Sequence, residues 1–215
     1  MGIPRLIRWS GMALLFSGII LVVAMLLHPR GAVFSETLER RWTPVHIAEG
    51  LVYLLNLLGL SGLYLRQVEK AGMLGLFGFV LTLFGSAFGL SVAVDEVVLY
   101  PFIAAQEYAP KTWFDLAGLA WPLAGLVVPL LLNIIFFDLG IILTGIVIVR
   151  AGALSHWVGW SFISSMALSI GAFLSPAIYS IFYIGGMILG IGFAWAGYVL
   201  WSGKGQMAAQ YIPAA

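Results

Sequence analysis

Cysteine is absent from this 215-residue chain, and charge is scarce: Asp, Glu, Lys and Arg together make up 9% of it. Without a thiol there is no disulfide, no thiolate metal site and no thiol nucleophile. The formal net charge is +1 and no basic cluster occurs, so no surface for nucleic acid or for a polyanionic headgroup is predicted. Phosphate loops, dinucleotide fingerprints and nucleophile motifs are missing too, so catalysis of the soluble type is not expected and a non-enzymatic protein is favoured.

What the chain has in their place is apolar sequence. Hydrophobic residues are 62% of it, and its mean hydropathy is +1.06. Six apolar runs, at about 9–28, 46–65, 73–97, 122–149, 156–174 and 179–201, each approach the ~20 residues needed to cross ~30 Å of hydrocarbon. The expected fold is an all-α polytopic transmembrane helix bundle forming a single domain over 1–215. Short connections at 66–72, 150–155 and 175–178 make successive helices antiparallel neighbours. Arg5 and Arg8 ahead of the first run resemble the start of a secretory leader, but no small-x-small cleavage site follows, so a retained first helix is expected.

Lys and Arg at the ends of the runs set the orientation. Arg5, Arg8, Arg66, Lys70, Arg150 and Lys204 fall on one side with the single acid Glu69. Arg30, Arg40, Arg41 and Lys111 fall on the other, interspersed with Glu36, Glu39, Glu107 and Asp115. Both termini are therefore expected to be cytoplasmic. Trp9, Trp157, Trp160 and Trp201 would mark the cytoplasmic interface, and Trp42, Tyr100, Trp113 and Trp121 the outer one. Small-residue seams are expected at Gly75/Gly78, Gly85/Gly89 and Gly186/Gly190. The stretch 100–121 holds Pro101 and Pro110 and leads toward Pro122 and Pro129, which reads as an interfacial amphipathic segment able to cap a pocket.

Against this apolar background a few polar residues stand out. Asp138 lies in the middle of the fourth run, where an ionisable group facing hydrocarbon costs at least ~2.5–3.5 kcal/mol and so turns inward to a partner or a site. Asn56 shares its depth. On the second helix His46, Glu49, Tyr53 and Asn56 follow a 3, 4, 3 spacing that places all four on one face. With Asn133 and Asp138 they outline a polar cleft open to the outer side. Asn133 and Asp138 are about 140° apart on a helical wheel, so they reach one partner only if the helix is kinked, for which Pro129 is a source. The bland reading of each is interhelical hydrogen bonding, for instance an uncharged Asp138 bound to Asn56 or to a serine. Asp95 and Glu96 most simply mark where the third helix emerges into water.

A sharper reading is a metal site. His46 and Glu49 at i and i+3 offer two ligands from one helix, which His28, Asp95 or Glu96 would complete. His28 and His46 would alternatively ligate a haem. No cofactor is favoured over none by the sequence.

The runs Gly-Leu-Ser-Gly-Leu-Tyr-Leu-Arg-Gln at 59–67, Arg-Ala-Gly at 150–152 and Gly-Ile-Gly-Phe-Ala-Trp-Ala-Gly at 190–197 resemble those of small uncharacterised bacterial membrane proteins. Such proteins repeat Gly-Leu-Tyr-x-Arg-Gln and Arg-Ala-Gly turns. The resemblance implies six helices in a bacterial cytoplasmic (inner) membrane and brings no activity with it. Three functions follow as expectations: an accessory subunit of a membrane complex or binder of a lipid-like ligand, a proton- or cation-coupled small-molecule transporter, and a membrane metal or haem protein. Expected partners are membrane lipid and a partner subunit or second copy, with no nucleic acid.

Overall fold

The computed structural model describes residues 2–29, 34–106, 111, 124–172 and 178–203. Glu107, Asp115, Trp113, Trp121 and most of the expected interfacial segment lie outside them, as does most of the 175–178 connection. Among the described residues the protein is all-helical, with no strand. The helices are α1 (Ile3–Leu27), α2 (Trp42–Ala104), α3 (Ala124–Ala151), α4 (His156–Ala172) and α5 (Ile181–Ser202), and a short 3₁₀ turn (Phe34–Leu38) precedes α2. Among the described residues, four of these five helices, α1, α2, α3 and α5, are long and apolar enough to cross a membrane.

The 63-residue α2 contains one break. A straight helix of that length would reach ~95 Å, about three times the apolar thickness of a bilayer. Gly72, at φ 57° and ψ −161°, reverses the chain instead. The limbs 42–71 and 73–104 then run antiparallel: the Trp42 indole N–H donates to the Glu96 carbonyl at 2.6 Å, and a Cβ on Gly50 would lie 3.3 Å from that of Ala93. The expected connection 66–72 is thus helical almost to its end. Its Arg, Gln, Glu and Lys residues are good helix formers, and only the residue requiring positive φ has to be glycine.

Six helical limbs form a closed ring in which each is antiparallel to its neighbours: α1, the two limbs of α2, α3, α4 and α5, with α5 returning to α1. Small residues let the backbones approach. A Cβ on Gly18 of α1 would collide with the Ala194 backbone of α5, one on Gly85 would collide with Phe137, and Gly145 and Gly159 meet face to face between α3 and α4. Gly59 against Leu14 and Gly62 against Ser10 close α1 onto the first limb of α2. Leu14, Leu63, Ile148, Phe162, Phe193 and Ala196 fill this half of the ring. At the opposite end Phe34, Trp42, Tyr100 and Ile103 form a second cluster.

The outer surface is studded with large apolar side chains, including Phe16, Phe84, Ile135 and Trp195. Trp9, Trp157, Trp160 and Trp201 are also exposed, as interfacial anchors are. Trp42 and Tyr100 are not: both are 1% exposed and belong to the core. The antiparallel hairpin of α2 and the 3₁₀ turn cover them on the face that sequence alone assigned to the membrane interface.

Candidate functional site

The ring encloses a cavity of about 200 Å³ in the half nearer Trp42 and Tyr100, lined by side chains from all six limbs. Helical spacing explains the first set of polar groups. His46, Glu49 and Tyr53 project from one face of the first α2 limb into the cavity, and Glu96 faces them from the second limb. His28, which ends α1, completes the cluster.

In this cluster His28 Nε2 lies 3.7 Å from Glu49 Oε1, and His46 Nε2 lies 4.0 Å from Glu49 Oε2 and 4.0 Å from Glu96 Oε1. The Nδ1 atoms are engaged elsewhere, His28 with the Pro29 carbonyl at 2.7 Å and His46 with that of Trp42 at 2.8 Å. Trp42 stacks on His46 with ring centroids 3.8 Å apart, and Tyr183 packs against His28 at 5.1 Å. Both imidazoles are thus held by main chain on one side and aromatic rings on another.

Deeper in, Tyr53 and Asn133 sit beside one another in space left by Gly89, where a Cβ would strike both. The Asn133 amide donates to the Gly85 carbonyl at 2.9 Å. Asp138, one and a half turns further along α3, has Ser169 of α4 as its polar neighbour. Its Oδ2 is buried with no hydrogen-bond partner among the described residues. The wheel argument that separates Asn133 from Asp138 holds, but no kink is needed. The two address opposite flanks of α3, and the cavity reaches between them.

Two expected members are not on the cavity. Asn56 shares the face of Glu49, but at its depth α1 has already closed the ring, and it accepts a hydrogen bond from Ser17 Oγ at 2.7 Å. It is therefore not the partner of Asp138. Asp95 is partly exposed and absent from the lining, because consecutive helical residues point about 100° apart and Glu96 takes the inward position. Sequence reasoning missed Trp42 and Ser169 as lining residues. The spacing of Trp42 one turn before His46 was a usable signal; a serine in an apolar helix carries none.

The site therefore offers converging nitrogen and oxygen donors at one end, a carboxyl and a hydroxyl at the other, and apolar walls between them formed by Met25, Val92, Phe137 and Leu189. The His28 and His46 rings meet edge to face with centroids 4.9 Å apart, which leaves no gap for a porphyrin between them as they stand. Comparison of the chain with protein-family models, with curated proteins and with solved structures finds no match.

Proposed function

We propose that this protein is a six-span membrane protein that holds a small amphiphilic molecule in an intramembrane cavity and acts by binding rather than by catalysis. The observation that carries this reading is the closed ring around a cavity whose polar groups stand at two levels, separated by apolar walls. Ligand sites of this kind are concave and mostly apolar, with a few placed polar groups that fix orientation. A cavity of about 200 Å³ suits a short amphiphile or the head of a longer lipid-like molecule.

The six spans are α1, the limbs 42–71 and 73–104 of α2, α3, α4 and α5. The 17 residues of α4 cover ~26 Å, close to the ~30 Å of hydrocarbon. The distribution of Lys and Arg supports cytoplasmic termini, and the sequence resemblance supports a bacterial inner membrane. The buried carboxyl of Asp138 would also suit a proton-coupled carrier. The tightly closed half of the ring beyond it favours binding, either alone or as an accessory subunit to a membrane partner.

Purification in mild detergent with native lipids, followed by solvent extraction and mass spectrometry, tests the reading. The expected result is an amphiphile enriched with the wild type and depleted from Val92→Phe, which fills the cavity, while helix content and melting remain those of a folded protein. Equal recovery from both proteins, or nothing enriched in either, would refute it.

A further inference from the structure

We propose that His28, His46 and Glu49, with Glu96 as the fourth donor, bind one divalent first-row transition-metal ion, zinc or ferrous iron, at the polar end of the cavity. The first argument is the direction of the nitrogen lone pairs. A main-chain carbonyl only accepts hydrogen bonds, so the contacts to Pro29 and Trp42 require the proton of each neutral imidazole to sit on Nδ1. Both Nε2 atoms then carry bare lone pairs, and both face the Glu49 carboxylate, which is itself an acceptor.

The second argument is distance. One donor atom from each of His28, His46 and Glu49 lies within 4.8 Å of the others. The nitrogen–oxygen separations of 3.7 and 4.0 Å are too long for hydrogen bonds, whose N–H···O distances run at ~2.7–3.2 Å. A proton does not bridge such gaps, whereas an ion does. Ligands ~2.1 Å from a tetrahedral centre are about 3.4 Å apart, so the nitrogen–oxygen gaps close by a few tenths of an ångström and the widest donor pair, within 4.8 Å, by at most about 1.4 Å.

Thirdly, Glu49 Oε1 is buried with no hydrogen-bond partner among the described residues. A buried acceptor without a donor is costly, and a cation among these atoms satisfies it. Imidazole nitrogen in the set selects a transition ion over magnesium or calcium, and two histidines with one or two carboxylates suit zinc and ferrous iron alike. The backbone carbonyls that hold Nδ1 are the outer-shell partners that orient metal-bound histidine. Trp42 supplies one of them through its carbonyl and also stacks its ring on His46. Metal binding stands on this donor geometry alone and does not depend on which amphiphile, if any, the cavity holds.

The test uses the full-length protein in detergent with native lipids, stripped with a chelator and then titrated separately with Zn²⁺, with Fe²⁺ under anaerobic conditions, and with Co²⁺ as a visible-absorption reporter. About one ion per chain is expected, together with a higher melting temperature in the loaded form, since an ion bound only by the folded state stabilises it. Whichever of zinc or iron binds more tightly identifies the ion. Glu49→Gln keeps the shape of the side chain and removes the donor charge, while His28→Gln removes a nitrogen ligand. Each should weaken binding by more than the ~10–100-fold that loss of an outer-shell partner costs. Glu69→Gln, exposed and away from the cavity, should leave metal affinity unchanged. Failure of the wild type to take up stoichiometric metal, or undiminished affinity in both Glu49→Gln and His28→Gln, would overturn the proposal.

Discussion

Buried polar side chains in this protein differ in whether they meet a neighbouring helix or face the cavity. Ser17 Oγ donates to Asn56 Oδ1 across α1 and α2 at 2.7 Å, and interhelical hydrogen bonds in membranes contribute a modest ~0.6 kcal/mol on average. Asp138 differs in lining the cavity, where Ser169 stands beside its carboxyl and its Oδ2 is buried without a hydrogen-bond partner among the described residues. If Asp138 serves only to orient a ligand by hydrogen bonding, Asn in its place keeps the shape and most of that capacity. Asp138→Asn should then change ligand retention by less than the ~0.5–1.5 kcal/mol of a typical hydrogen bond, measured by the same extraction with folding checked by circular dichroism. A complete loss of retention in a folded Asp138→Asn protein would instead favour a function that depends on the ionisable group, as a proton-coupled carrier does.

At the scale of an element, α2 makes the ring possible. Its two limbs supply His46, Glu49 and Tyr53 from one side of the cavity and Glu96 from the other, and their register depends on a one-residue reversal. Gly72 occupies a backbone region nearly closed to other residues, with no atom within 4 Å of where a Cβ would stand. Any penalty for a side chain there comes from the backbone and not from crowding. Gly72→Ala should cost ~1–3 kcal/mol, seen as a lower thermal midpoint in detergent without a change in helix content. A midpoint equal to that of the wild type would show that the reversal does not depend on positive φ.

For the whole molecule, the natural lack of cysteine is an experimental advantage, since single reporters can be introduced without background labelling. Glu69 and Ser155 are exposed beside the Gly72 reversal and the α3–α4 connection, and Glu39 is exposed at the opposite end of the ring. In intact cells Glu39→Cys should react with a membrane-impermeant maleimide, and Glu69→Cys and Ser155→Cys should react only after the membrane is opened. Labelling of all three from the same side would refute the six-span arrangement, and an inverted pattern would refute the cytoplasmic assignment of the termini. The exposed apolar girdle and the tryptophans at one end are the features that suit the molecule to a bilayer.

Composition and periodicity alone determined that the chain is helical, apolar and organised in runs of spanning length, because 3.6-residue geometry and the scarcity of charge leave few alternatives. They also placed His46, Glu49 and Tyr53 on one face, since that relation is local to one helix. The tertiary structure decided everything that depends on which helices meet. It put Trp42 and Tyr100 in the core, moved Asn56 out of the cleft by closing α1 over it, chose Glu96 over Asp95, and paired Asp138 with Ser169. These outcomes are set by glycine seams that fix how closely two backbones approach. Whether a polar face ends in a cavity or in a neighbour's side chain depends on that approach, and no single helix encodes it.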